Sequence, residues 1–113
     1  MVAEARSRIL RYTPSEAAAA PDVLLVDTRS TEERERAGVI PGSTHVPRSV
    51  LEWRADPTSE SHDPELAGRR LVIVCAHGES SSLAAATLVE LGVEAGDLVG
   101  GYAAWVEAGL PTE

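Results

Sequence analysis

Apolar residues in this chain cluster in short blocks separated by polar, helix-prone stretches. Val23-Leu24-Leu25-Val26 and Leu71-Val72-Ile73-Val74 are unbroken runs of apolar residues bounded by turn residues, the pattern of strands covered on both faces in a parallel sheet. Ile9 to Tyr12 reads as an edge strand, Thr44 to Val46 as a short strand and Leu98-Val99 as the last one. Thr13-Pro14-Ser15-Glu16 combines an N-cap, a proline at the first helical position and a capping-box glutamate, predicting a short helix through Ala20. Ser30-Thr31-Glu32-Glu33 opens a charged helix ending near Ala37-Gly38, and Pro47 to Trp53 reads as helical. Ser81 to Leu91 is the longest helix, with Leu83, Ala84, Thr87, Leu88 and Leu91 at core-facing spacing and Gly92 as its stop. Tyr102 to Ala108 forms the last, closed by Gly109 and Pro111, while Asp56 to Pro64 is a surface loop. Strands alternating with helices predict an α/β domain over residues 1–113, a mostly parallel sheet with helices on both faces. Such sheets bind ligands beyond the carboxyl ends of their strands.

Composition narrows the chemistry. The 113 residues are 43% hydrophobic and 25% charged, enough to bury a core without staples. A formal net charge of −8 argues against a nucleic-acid surface, and all ten basic residues are arginines dispersed along the chain. Any anion must therefore be captured locally, against an unfavourable overall field. One cysteine excludes an internal disulfide framework, and histidines at 45, 62 and 77 offer no zinc-ligand spacing, so neither metal nor cofactor is expected. Met1 to Arg11 mixes charge throughout and does not read as a signal peptide, and no apolar run reaches membrane-spanning length. The expected setting is cytoplasmic, with no nucleic-acid or membrane partner.

The chemistry concentrates in LVIVCAHGESSSLAAATLVEL, residues 71 to 91. A buried strand delivers Cys75 into a short loop with Gly78, Glu79, Ser80 and Ser81, and a helix follows at once. Main-chain N–H groups of a tight loop and a helix start supply positive potential without a charged side chain, which lowers a thiol pKa. The plain alternative is a buried cysteine at a strand end. Gly78 lets the loop curl so that amides from Ala76 to Ser81 converge on the sulfur, or makes an ordinary turn. Ser80 and Ser81 either donate hydroxyl hydrogen bonds to the sulfur or cap the helix. Glu79 opposes thiolate formation and is expected to point to solvent. His77 adds local positive charge, contacts an acceptor, or is simply solvated.

Four segments, in order, resemble the rhodanese family of sulfurtransferases: Val26-Asp27-Thr28-Arg29 with the Glu-rich helix behind it; Gly38 to Ser43 with Val46-Pro47; the Cys75 loop; and Gly100 to Trp105 with Ala108 to Pro111. The resemblance implies a five-stranded, largely parallel sheet flanked by helices, and a Cys75 that carries sulfur as a persulfide. It implies a small donor such as thiosulfate or a persulfide. With no second cysteine, it also implies an external acceptor: cyanide, a small thiol or a thioredoxin-like protein. Asp27 and Arg29 match the family's Asp-x-Arg pair and are expected to hold the loops above the sheet. Two positions depart from the family pattern: Ser80 stands where an arginine is usual, and Val39 where a histidine is common. The first removes an anion clamp and weakens the case for thiosulfate. Arg48 and Arg54 are candidates to reach the loop in its place, Arg54 first because it adjoins Trp53; the alternative is a solvated helix face. Competing functions are a non-catalytic or regulatory module that binds a partner or senses sulfide, and a phosphatase on a related fold. The last needs a longer loop and an arginine at the position of Ser81 to neutralise a phosphoryl group.

Overall fold

A computed structural model describes residues 1–113. The chain runs α1 (Val2–Ser7), β1 (Leu10–Tyr12), α2 (Pro14–Ala19), β2 (Val23–Asp27), α3 (Thr31–Ala37), β3 (Thr44–His45), a 3-10 turn (Arg48–Val50) into α4 (Leu51–Ala55), β4 (Arg70–Val74), α5 (Ser80–Glu90), β5 (Ala95–Leu98) and α6 (Gly101–Glu107). The five strands form one sheet in the order β1-β5-β4-β2-β3, and every pairing is parallel. No helix is long and apolar enough to cross a membrane.

The two apolar runs become the centre of the sheet. Along β4 the side chains alternate: Leu71 and Ile73 enter one core with Leu24 and Val26 of β2, Leu51 and Ala55 of α4, and Ala84, Ala85 and Leu88 of α5. Val72 and Val74 face the other way, into a second core with Ala17 of α2, Leu98 of β5, and Tyr102 and Trp105 of α6. The unbroken apolar run Leu71–Val74 is thus buried on both faces of the sheet. Both capping boxes form, Thr13 with Glu16 at α2 and Ser30 with Glu33 at α3. These fix where the chain turns from strand to helix.

The structure differs from the sequence expectation in three places. β5 begins at Ala95 rather than Leu98, because Ala-Gly-Asp carries no strand signature but is held by ladders to both neighbours. Helix α1 carried no prediction, and it packs against α5. That cover explains the third difference: α5 is buried nearly all round, through Ser81, Ser82, Ala84, Ala85, Ala86 and Leu88, so a single core-facing stripe does not describe it. Leu91, expected in the core, is exposed beyond the helix end.

Between β2 and β4 the strand order reverses, and the register pairs Asp27 with Val74 at their carboxyl ends. Asp27 is 1% exposed and Arg29 4%. Arg29 Nε and Nη2 donate to the two Asp27 carboxylate oxygens at 3.1 and 2.8 Å, and Nη2 also donates to the Gly38 carbonyl at 2.7 Å. Arg34 of α3 adds a 3.0 Å bond to Asp27, and the Arg29 guanidinium lies 3.7 Å above the Tyr102 ring. This buried cluster ties β2, α3, the Gly38 turn and α6 together. Burial pushes the Asp27 carboxyl up; the Arg29 side chain and amide, with the Arg34 charge, more than reverse this and hold it below the ordinary carboxylate range. A depressed carboxyl contributes stability that is complete above its unfolded value of about 3.9 and lost as pH falls through the folded value. Asp27→Asn is therefore expected to cost about 3–5 kcal/mol at neutral pH by leaving Arg29 without its countercharge. It should also flatten the fall of melting temperature below about pH 4, and denaturant unfolding across a pH series reads both effects.

Candidate active site

Cys75 follows β4 directly and is 8% exposed. Its Sγ accepts hydrogen bonds from the Gly78 amide at 3.1 Å and the Ser81 amide at 3.3 Å. Ser81 Oγ lies 3.2 Å away, accepting the thiol proton while it is present and able to donate once it has left. The curl that makes this cradle needs Gly78 at φ +93°, where a Cβ would also sit 2.8 Å from the Gly100 amide nitrogen. Only glycine meets both conditions cheaply.

The first two carbonyls of the loop are bound from the other side. The Tyr102 amide donates to the Cys75 carbonyl at 2.8 Å, and the Ala103 amide to the Ala76 carbonyl at 3.0 Å. Helix α6 thus satisfies its own unpaired N-terminal donors on the cysteine loop, and this leaves the loop amides free to face the sulfur. The contact is close enough that a Cβ at Gly101 would collide with the Cys75 carbonyl oxygen. The Gly100-Gly101-Tyr102 segment is therefore part of the site's construction.

Burial pushes the Cys75 thiol up. The Ser81 hydroxyl first, then the Ser80 hydroxyl and the Ser81 and Gly78 amides, more than reverse this, so the thiol titrates below its ordinary value. The thiolate is accordingly favoured by neutral dipoles.

A cleft of about 290 Å3 opens over the sulfur, lined by Thr28, Arg29 and Glu33 on one side and by Cys75, Ala76, His77, Glu79 and Ser80 on the other. His77 and Glu79 thus reach the rim, and Glu79 is exposed. Arg48 and Arg54 do not reach the loop: Arg48 pairs with Glu52 at 2.8 Å, and Arg54 donates to the Ser61 carbonyl at 3.3 Å. Neither lines the cleft, because the turn after Pro47 sends both outward along α4. Thr28 falls in the Asp27–Arg29 segment that the sequence places just past a strand's carboxyl end, whereas Glu33 carries no site expectation. Thr28 is marked only by its place between Asp27 and Arg29, where its hydroxyl donates to the Val74 carbonyl at 2.8 Å. A larger cleft of about 650 Å3, lined by Asp22, Arg69, Arg70 and Glu94 among others, lies at the amino ends of the strands, away from the cysteine.

The rhodanese-like domain family matches residues 14–108. Among solved structures, the chain is similar to a protein of unknown function, a possible tyrosine phosphatase, from Rhodopseudomonas palustris: 38% identity over 99% of this chain and 90% of that one, TM-score 0.91. It is also similar to a thiosulfate sulfurtransferase from Pseudomonas aeruginosa, at 28% identity over 94% of this chain and 19% of that one, TM-score 0.74. A rhodanese-related protein from Thermoplasma volcanium shares the fold at 24% identity over 91% of this chain and 96% of that one, TM-score 0.75. A search among curated proteins found no match.

Removing one donor from the cradle should raise the thiol. Ser81→Ala is expected to lift the Cys75 titration midpoint by about half to one unit, since one hydrogen bond to an ion is worth on the order of 1 kcal/mol. Alkylation by iodoacetamide at neutral pH should slow several-fold.

Proposed function

The chain belongs to the rhodanese-like domain family, and on that premise we propose that it transfers sulfane sulfur through a persulfide on Cys75. The observation that carries this reading is the amide and hydroxyl cradle around Sγ: it favours a thiolate and leaves the sulfur facing an open cleft. In the first half-reaction the Cys75 thiolate attacks the outer sulfur of the donor. A new Sγ–S bond forms, the donor's sulfur–sulfur bond breaks, and the leaving thiolate or sulfite departs with the electron pair. In the second, an external nucleophile attacks the outer sulfur, and Cys75 leaves as the thiolate it began as. This is covalent catalysis in two steps, with ping-pong kinetics.

Charge in the cleft bears on the donor. Glu33 and Glu79 line it, its one guanidinium, Arg29, is committed to Asp27 and Gly38, and Ser80 presents a hydroxyl. A dianionic donor such as thiosulfate meets no free cation inside the loop, whereas a persulfide of a small thiol carries less charge to the sulfur. The same reasoning weighs against phosphoryl transfer, the activity suggested for the Rhodopseudomonas relative. A transferring phosphoryl group needs its oxygens neutralised by a guanidinium, and Ser81 stands at that position with its amide and hydroxyl turned to Cys75. A module that only binds a partner has no use for a stabilised thiolate. The acceptor is taken to be an external thiol or cyanide, encountered away from membranes and nucleic acid.

Intact-mass analysis tests the reading. Incubation with glutathione persulfide should add one sulfur atom to the chain, removable by cyanide or reductant, and Cys75→Ser should add none. Thiosulfate should load the wild type slowly, and Ser80→Arg should load faster from thiosulfate by roughly tenfold, the scale of one charge-assisted hydrogen bond. No adduct from any donor would overturn sulfur transfer and favour the binding module.

A further inference from the structure

The side of the Cys75 loop turned away from the cleft rests on a buried polar cluster drawn from four other elements. Asp97 of β5 is fully buried, and Arg11 of β1 grips both its carboxylate oxygens at 2.9 and 3.1 Å. Ser82 of α5, also fully buried, lies 2.6 Å from Asp97 Oδ2 and 2.9 Å from the Gly78 carbonyl. Arg6 of α1 donates from Nε to Ser82 Oγ at 3.0 Å and from Nη2 to the Gly78 carbonyl at 3.1 Å.

The proton count decides which group holds Gly78. A serine hydroxyl has one proton, and two acceptors compete for that of Ser82. The carboxylate at 2.6 Å is the shorter and charge-assisted choice. With Ser82 engaged there, Arg6 is the constant donor to the Gly78 carbonyl, and the adjoining Gly78 amide is one of the groups on Cys75 Sγ. Arg6 is also electrostatically free. Arg8, Arg11, Arg29, Arg34, Arg48 and Arg70 are each paired with a carboxylate, while Arg6 pairs with none.

We propose that Arg6 is a positioning residue for the Cys75 loop: its guanidinium fixes the Gly78 carbonyl from behind and lends the loop the positive charge its own sequence lacks. Its consequence for turnover rests on the sulfur-transfer reading, whereas its consequence for Cys75 ionisation does not. The other charged or titratable groups near Cys75 are Arg29 beyond β2, Glu33 on α3, His77 and Glu79 on the loop, and Asp97 with Arg11 behind it. The Arg11–Asp97 pair is formally neutral, so the added charge behind the loop is that of Arg6. Helix α1 lies outside the residues 14–108 matched by the family.

The test compares the full chain with Arg6→Gln, which keeps the stem on α5, with Arg6→Lys, and with Arg8→Gln. Arg8 is the C-cap residue of the same helix and pairs with Glu4 and Glu90 without touching the loop. The rate of iodoacetamide alkylation of Cys75 is followed against pH, with a melting temperature for each variant. Arg6→Gln should raise the midpoint by about half to one unit, a roughly 3- to 10-fold loss of thiolate below that midpoint. Arg6→Lys should recover part of the shift, and Arg8→Gln should show none. An unchanged midpoint in Arg6→Gln, or an equal rise in Arg8→Gln, would overturn the proposal. Shifts as expected in a chain that accepts no sulfur from any donor would uphold Arg6 and overturn sulfur transfer instead.

Discussion

The structure turns on two hydrogen bonds from main-chain amides to one sulfur, Gly78 and Ser81 to Cys75. Those amides point inward only because the opposite side of the loop is bound elsewhere. α6 takes the carbonyls of Cys75 and Ala76, and Arg6 takes that of Gly78. Each surrounding element then has an assignable purpose. β4 carries the cysteine to the end of the sheet, α5 begins at the loop so that its first turn supplies donors, and the Asp27–Arg29 pair holds the neighbouring strand end and the Gly38 turn in place.

Stabilising an anion with neutral dipoles has a chemical consequence. Dipoles favour a single compact negative charge on sulfur without offering a diffuse polyanion much in return. The acidic rim reinforces this bias, since Glu33 and Glu79 flank the approach. A guanidinium inside the loop would serve phosphate or thiosulfate better. One placed behind the loop adds positive charge there without confronting the substrate. The fold is shared with relatives of different names, so the chemistry has to be argued from the site rather than from the fold.

Much of this was legible in the sequence. The apolar runs located β2 and β4, the capping residues located the starts of α2 and α3, and the cysteine between strand and helix located the site. What was not legible depended on contacts distant in sequence. Ala95-Gly96-Asp97 has no strand propensity and is a strand because two ladders hold it. Helix α1 is six residues long with one buried side chain, Ala5, too little for a periodic signal. Ser82 read as one more serine in a run, and Arg6 as one dispersed arginine among ten. Their meeting beneath Gly78 spans more than seventy residues of chain. Arg48 and Arg54 lie near the family motif in sequence, but the turn after Pro47 carries both away from the loop.

The central claim is that the cradle outweighs burial and holds the Cys75 thiol below its ordinary titration range. Titrating the thiolate ultraviolet absorbance of the native chain, with Cys75→Ser as the blank, measures this without any donor or acceptor. The midpoint is expected to fall clearly below the value of about 8.5 for free cysteine. A midpoint at or above that value would show that burial outweighs the cradle and would contradict the account.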